Sequence, residues 1–378
     1  MRSALKWKRL SGLTTENTGI YIHIPFCAKK CAYCDFYSQP YRKNTVENYV
    51  KAVIRNIKAY SDKSCVAETL YFGGGTPSLL SPEQVGDIIQ AVGESFILPE
   101  NAEITLETNP NTVDLKKLSA LKKAGVNRIS IGVQSMIDTE LKFLSRTHSA
   151  ERAEKAIIDA YNAGFENISC DVMIALPEQS PESLTYTLER ITNLPVKHIS
   201  GYILKVEDGT PFEHNGIKNI LPDDDITADL YIMMCKYLAE KGFKQYEVSN
   251  FAIPDFESRH NCRYWKCLDY IGIGSSAHSC HAGKRFCVEK NLKDFIESPV
   301  QNVIITDDSP CGFEEYAMLR LRLAEGLNIN DFPEHKNNLI KKIPALLKTG
   351  YINYDGECIS LTPDGFLVSN SVIEYLVF

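Results

Sequence analysis

Residues 20–36 read IYIHIPFCAKKCAYCDF, an apolar run of strand type that leads directly into three cysteines. Three residues separate Cys27 from Cys31, and two separate Cys31 from Cys34. This spacing puts three thiolates in one loop, where they can bind three corners of an iron–sulfur cube and leave the fourth iron open. A zinc site normally has four ligands, commonly in paired spacings. The loop therefore predicts a [4Fe-4S] cluster rather than zinc or three unrelated buried cysteines.

From residue 19 to residue 206, short β-rich runs alternate with longer amphipathic stretches. This alternation is typical of βα units around a parallel sheet. The predicted strands are residues 20–24, 69–72, 103–107, 128–133, 168–174 and 198–204. Amphipathic runs over residues 114–124 and 180–193 predict two of the crossover helices. We expect an α/β fold, a partial (βα)6 TIM-like barrel, followed by a small C-terminal winged-helix-like α+β domain.

Polar and glycine residues recur where the predicted strands end. Residues 73–77 follow the second strand, Glu107 ends the third, Gln134 ends the fourth and Asp171 lies within the fifth. In βα barrels the loops at the carboxyl ends of the strands carry the chemistry. We therefore expect these residues to share one site with the cysteine loop, where the two carboxylates can accept hydrogen bonds from amino or hydroxyl groups.

The segments Tyr21-Ile22-His23-Ile24-Pro25-Phe26-Cys27 and Cys31-Ala32-Tyr33-Cys34-Asp35-Phe36 resemble the cluster loop of the radical S-adenosylmethionine superfamily. Within it they resemble the branch that contains oxygen-independent coproporphyrinogen III dehydrogenase and a haem-chaperone paralogue. The resemblance extends to residues 361–370 and so covers nearly the whole chain. It implies that S-adenosylmethionine chelates the open iron, and that reduction breaks a carbon–sulfur bond and releases a 5′-deoxyadenosyl radical.

The resemblance also implies a set of cofactor contacts. The run Phe72-Gly73-Gly74-Gly75-Thr76-Pro77 resembles the cofactor-binding turn of the family, in which absent side chains let the backbone approach a ligand. A simple tight turn is the alternative. The implied contacts are Tyr21, Tyr33, Gly74, Gly75, Thr76, Glu107, Gln134, Arg146 and Asp171. Whether one or two cofactor molecules bind is left open by these motifs.

Asp35 and Phe36 separate two functions within the branch. The dehydrogenase has a further cysteine two positions after its third cluster ligand, whereas this chain has Phe36 there. Phe36 at this position argues against porphyrinogen decarboxylation. In this respect the chain resembles the haem chaperones. We therefore expect haem binding and transfer to an acceptor protein, with an electron donor for the cluster. A radical-dependent porphyrinogen oxidase is the alternative, and catalytic turnover is left open.

Residues 260–265 form a second motif similar to the haem chaperones, His260-Asn261-Cys262-Arg263-Tyr264-Trp265. Imidazole is a common axial ligand of haem iron, and flat aromatic rings can pack against a macrocycle. His260 is therefore the haem candidate, with a hydrogen-bonded core histidine as the alternative. Scattered thiols are a better interpretation than a second metal site for Cys262, Cys267, Cys280, His281 and Cys287, whose spacings match no zinc or cluster pattern.

Charge and hydropathy restrict the remaining classes. A net charge of −7 without a basic stripe argues against a nucleic-acid partner. Because no apolar run has the length of a signal peptide or a membrane span, we expect a cytoplasmic protein. The predicted divisions are an N-terminal extension (1–18), the barrel (19–250), an aromatic and cysteine-rich connecting region (251–306) and the C-terminal domain (307–378).

Overall fold

The computed structural model describes residues 16–378, so most of the predicted N-terminal extension lies outside the described residues. Strands and helices alternate through the first half of the chain: β1 (Asn17–Ile24), β2 (Phe26–Cys27), β3 (Gln39–Pro40), α1 (Lys43–Ala59), β4 (Val66–Gly74), α2 (Pro82–Ser95), β5 (Glu103–Thr108), α3 (Leu115–Lys123), β6 (Arg128–Gln134), α4 (Asp138–Phe143), α5 (Ala150–Asn162), β7 (Asn167–Ile174), α6 (Pro181–Thr192) and β8 (His198–Ile203).

The second half has shorter elements: α7 (Pro211–His214), α8 (Asp224–Glu240), β9 (Lys244–Gln245), β10 (Asn250–Ala252), α9 (Arg259–Trp265), β11 (Tyr270–Ile273), β12 (His278–His281), β13 (Lys284–Val288), α10 (Leu292–Glu297), β14 (Val303–Asp307), α11 (Phe313–Arg320), β15 (Leu327–Asn328), α12 (Pro333–Leu347), β16 (Ile352–Tyr354), β17 (Cys358–Leu361), α13 (Pro363–Leu367) and α14 (Ser369–Val377). Among the residues described, no helix is both long and apolar enough to cross a bilayer.

The six predicted strands are confirmed as β1 and β4 to β8, and they lie side by side in chain order with parallel pairing throughout. Helices cover the sheet because their apolar faces need a buried surface. α3, for example, begins where the side chain of Asp114 accepts a bond from Lys117 N, and it ends before Gly125, whose φ is +112°. The parallel order brings the carboxyl ends of all six strands to one edge.

The connecting region continues this sheet instead of forming a separate layer. β11 pairs parallel with β1, and β12, β13 and β14 add antiparallel strands beyond it, while β10 and β9 extend the opposite edge. The predicted boundary at residue 250 is therefore not a break in the sheet. The C-terminal part has a three-stranded sheet with a hairpin between β16 and β17, packed with α11, α12 and α14. The partial barrel with an appended α+β domain is thus confirmed.

Candidate functional site

A cavity of about 420 Å³ opens at the carboxyl ends of the parallel strands. The residues of the predicted site that line it are Cys27, Cys31, Tyr33, Cys34, Gly74, Gly75, Thr76, Glu107, Gln134, Arg146 and Asp171. They come from six separate segments of the chain. The strand order therefore brings together every predicted cluster and cofactor residue except Tyr21.

The three cysteines lie on the wall of this cavity, and polar groups donate hydrogen bonds to two of their sulfur atoms. Thr76 Oγ1 donates to Cys27 Sγ over 3.6 Å, and Arg146 Nη1 donates to Cys31 Sγ over 3.4 Å. All three thiols are free. The thiolate is the form of cysteine that binds iron, and these two donors can hydrogen-bond to its sulfur. Within residues 16–378, no three His, Cys, Asp or Glu side chains have converged far enough to hold a metal ion.

The glycine turn lies against the start of the cysteine loop. Gly75 N donates to Ile24 O over 2.9 Å, and Thr76 N donates to Phe26 O over 2.8 Å. A Cβ at residue 75 would lie 2.7 Å from Phe26 O and 2.9 Å from Ile24 O, both backbone atoms. Only glycine therefore allows this close approach. The turn fixes the backbone just before Cys27 and leaves its other side facing the cavity.

Two partly buried carboxyl groups, those of Glu107 and Asp171, line the cavity. Glu107 Oε1 accepts from the Tyr71 hydroxyl over 2.9 Å, and Glu107 Oε2 accepts from Gly74 N over 3.2 Å. Burial and the neighbouring Asp171 raise the pKa of Glu107 to about 7, and burial raises the pKa of Asp171. Such groups favour a ligand that supplies a cation or hydrogen-bond donors.

Strand β6 ends in an irregular segment that positions Gln134 and Arg146. The register between β6 and β7 shifts between Gly132 and Gln134, and Gln134 has a φ of +68°. Arg146 Nη2 donates to Gly132 O over 2.7 Å, and a Cβ at residue 132 would lie 3.1 Å from that nitrogen. Within the described part of the chain, Arg146 Nε is buried and has no hydrogen-bond partner. Arg146 therefore has an unpaired buried donor beside the cavity that its side chain lines.

Sequence analysis missed three residues that support the carboxyl groups. Besides Tyr71, Ser130 Oγ donates to Asp171 Oδ1 over 3.1 Å. Arg128 is 2% exposed, and its positive charge acts to lower the pKa of both carboxyl groups. Arg128, Ser130 and Gly132 occupy every second position of β6. Side chains two positions apart on a strand point to the same face, so Arg128 and Ser130 share the face of Gly132, which lines the cavity.

Tyr21 and His260 lie outside the cavity lining. Their rings stack with centroids 6.3 Å apart, and the Tyr21 hydroxyl is 3.0 Å from His23 Nδ1. His260 is 1% exposed; its Nδ1 lies 2.7 Å from Thr69 Oγ1 and its Nε2 lies 2.8 Å from the Tyr264 hydroxyl. Both ring nitrogens are engaged, so in this conformation His260 has no lone pair free for haem iron, and its geometry is that of a buried packing histidine.

The raised pKa of Glu107 predicts that the cofactor-free protein loses folding stability as the pH rises. Between the ordinary carboxyl pKa of 4.5 and the folded-state value of about 7, the folded state binds more protons than the unfolded state. The free energy of unfolding should therefore fall as pH rises through this window, by up to about 3 kcal/mol from this group. Urea unfolding of wild type and Glu107→Gln from pH 5 to pH 8 measures the difference.

The Glu107→Gln protein should lack this part of the pH dependence, because glutamine does not titrate. Glu100→Gln changes an exposed carboxylate and serves as the matched control, with the wild-type profile expected. Parallel profiles for wild type and Glu107→Gln would contradict the assignment.

The chain is similar to known proteins over most of its length. The radical SAM superfamily model matches residues 21–191, and the HemN C-terminal domain model matches residues 313–368. "Heme chaperone HemW" of Lactococcus lactis is 33% identical over 369 residues, 94% of this chain and 96% of that protein. "Heme chaperone HemW" of Escherichia coli is 33% identical over 371 residues, 94% of this chain and 97% of that protein.

Among solved structures, coproporphyrinogen III oxidase (HemN) of Escherichia coli is similar with a TM-score of 0.80 and 21% identity. The similarity covers 98% of this chain and 92% of that one. At this identity the likeness shows a shared fold and carries no conclusion about activity.

Proposed function

Since this chain belongs to the HemW family within the radical S-adenosylmethionine superfamily, we propose that it binds a [4Fe-4S] cluster and S-adenosylmethionine and carries haem to an acceptor protein. The observation that supports this proposal is the convergence of the three cysteines, the glycine turn and two carboxyl groups on one cavity. The location in the cytoplasm, the electron donor and the acceptor protein stay predictions.

The donor set fits the two cofactors. Three free thiols suit an iron–sulfur cube with one open iron. Glu107 and Asp171 can accept hydrogen bonds from the amino or ribose hydroxyl groups of S-adenosylmethionine, and the positive charge of Arg146 can attract an anionic group. When bound and reduced, the cluster supplies the electron that breaks a carbon–sulfur bond of S-adenosylmethionine.

The chain's own residues have defined parts in this proposal. Cys27, Cys31 and Cys34 hold the cluster, and the bond from Arg146 to Cys31 sulfur keeps a positive charge beside it. Gly74 and Gly75 let the backbone lie close to the ligand. Glu107 is partly buried, so hydrogen bonds to its carboxyl group are stronger than they are in open solvent.

Haem is the group that the protein is proposed to carry, and two histidines are candidates for the ligand of its iron. Ligation by His260 stays a prediction that requires α9 to move, because both ring nitrogens are occupied in the described conformation. His278 on β12 is the next candidate, since its side chain is exposed. Partial burial, followed by the charges of Lys290 and Arg285, lowers the pKa of His278, so the neutral imidazole that binds iron is favoured.

We expect the reconstituted protein to bind haem and to form no protoporphyrinogen from coproporphyrinogen III. The reason is Phe36, which stands where the dehydrogenase has its additional cysteine. Anaerobic incubation with S-adenosylmethionine, dithionite and either haem or coproporphyrinogen III, followed by haem spectra and porphyrin chromatography, tests both halves. Porphyrin product above the level of a cofactor-free control would reject the chaperone proposal in favour of the oxidase.

Haem titration of His260→Ala and His278→Ala in the same experiment separates the two ligands. Loss of the wild-type Soret band in one variant, with cluster content retained, identifies that histidine. An unchanged Soret band and affinity in both variants would exclude both.

A further inference from the structure

Three thiols that are distant in sequence meet outside the cavity. The side chain of Cys311 is in hydrogen-bonding contact with those of Cys267 and Cys280. Cys267 follows α9, Cys280 lies on β12, and Cys311 lies in the loop between β14 and α11. All three are free; Cys280 is buried, whereas Cys267 and Cys311 are partly exposed. Cys267 and Cys280 are thus not the scattered thiols that their sequence spacing indicates.

The backbone holds the two accessible cysteines in an uncommon conformation. Cys267 has a φ of +53° and Cys311 a φ of +66°, in the left-handed region that residues with a Cβ seldom adopt. Cys311 N also donates to Glu315 Oε2 over 2.7 Å. Local strain of this kind persists only where the surrounding structure fixes it. The contact between the two thiols is therefore held by the fold on both sides.

A guanidinium group lies beside the same thiols. Arg285 faces Cys280 across the β12–β13 pair and contacts its thiol, and its charge also acts on Cys267 and Cys311. It pairs with Glu315, whose other oxygen accepts the bond from Cys311 N. The cluster of thiols thus has positive charge next to it, from Arg285 and, at Cys267, also from Arg320.

This charge decides between two uses of three thiols. A guanidinium repels a metal cation, and no arrangement suited to a metal ion occurs among residues 16–378. A positive charge instead favours a thiolate nucleophile. The hydrogen bond with Cys311 lowers the pKa of Cys267, which makes Cys267 the attacking sulfur and Cys311 the second thiol.

We propose that Cys267 and Cys311 form a reversible dithiol–disulfide pair that exchanges with a low-molecular-weight disulfide such as glutathione disulfide. The Cys267 thiolate attacks one sulfur of that disulfide, its S–S bond breaks, and one thiol leaves after taking a proton. Cys311 then loses its proton and attacks Cys267 sulfur, which forms the Cys267–Cys311 bond and releases the second thiol. Two cysteines are oxidised, and one disulfide is reduced to two thiols.

The Cys267–Cys311 disulfide would join the C-terminal part of the molecule to the helix that carries the haem candidate His260. Cys267 lies two residues after α9, the helix that carries residues 260–265, and Cys311 lies two residues before α11, the first helix of the C-terminal part. Oxidation would fix α9 to the start of α11, and reduction would release it. The chemistry of the pair does not depend on the proposed haem function.

The test is a redox titration of the cluster-loaded full-length protein in anaerobic glutathione and glutathione disulfide buffers. Free thiols are alkylated at each ratio, and the chain is digested and mapped by mass spectrometry. We expect a Cys267–Cys311 linked peptide and the loss of two alkylated thiols, fully reversed by excess glutathione. Cys311→Ser should give a glutathione adduct on Cys267 and no linked peptide, and Cys267→Ser should give no linked peptide.

Cys287→Ser is the matched control, since Cys287 lies on the same strand as Arg285 and is also partly exposed. This variant should form the linked peptide as wild type does, with unchanged cluster absorbance. Full alkylation of Cys267 and Cys311 at every ratio would overturn the proposal. So would a Cys280–Cys311 linkage, or stoichiometric zinc binding that protects all three thiols.

Discussion

Replacement of any one of Cys27, Cys31 and Cys34 by alanine is expected to remove the whole cluster, with iron and sulfide falling to background after anaerobic reconstitution. Each of the three thiolates in the loop is expected to bind one iron atom of the cube. With only two thiolates, two iron atoms would be exposed to exchange and oxidation. Cleavage of S-adenosylmethionine should disappear with the cluster. Iron and sulfide analysis, together with absorbance near the thiolate-to-iron band, measures the loss.

Cys358→Ala is the control for this experiment, because Cys358 is partly exposed on β17 in the C-terminal sheet. It should retain the full cluster. The fold should survive in all four variants, since the cluster cysteines lie on the wall of an open cavity and not in the apolar core. A single cluster-loop variant with four iron atoms and normal cofactor cleavage would show that the ligands are assigned wrongly.

The parallel half of the fold could be predicted because its signals are local. Each strand is a short apolar run, and the residues at its end carry the site, so Glu107, Gln134 and Asp171 reach one cavity once the strands lie in order. The strands β11 to β14 gave no such signal. Their place in the sheet depends on the pairing of β11 with β1, which joins residues about 250 positions apart and has no local pattern.

The side-chain contacts within the barrel were harder to predict for a related reason. Tyr21 is paired with Tyr71 across β1 and β4, one layer below the glycine turn, so its contact with the cofactor stays a prediction. His260 stacks in the same layer. A motif identifies which residues matter, but the layer each occupies depends on strand register. The meeting of Cys267 with Cys311 depends on the same long-range pairing.

Gly75→Ala is expected to disrupt the site from a position that bears no reactive group. The new Cβ would lie 2.7 Å from Phe26 O, a backbone oxygen that accepts the bond from Thr76 N over 2.8 Å. Either the glycine turn or the segment before Cys27 must shift. Overpacking of this kind costs about 1–3 kcal/mol of unfolding free energy. The shift would also displace the backbone on which the cofactor is proposed to lie, and a loss of about 1.4 kcal/mol of binding free energy from this displacement would weaken S-adenosylmethionine binding tenfold.

Gly93→Ala is the matched control, because Gly93 is exposed in α2 and a Cβ there would meet no atom within 4 Å. Alanine is the better helix former, so this variant should gain about 0.5–1 kcal/mol of stability. Its cofactor affinity should not change, since α2 contributes no residue to the cavity lining. Urea unfolding and calorimetric titration of S-adenosylmethionine into reconstituted protein compare the two variants. If Gly75→Ala retained wild-type affinity and cluster content, the glycine turn would not be the surface on which the cofactor lies, and its glycines would serve only the turn itself.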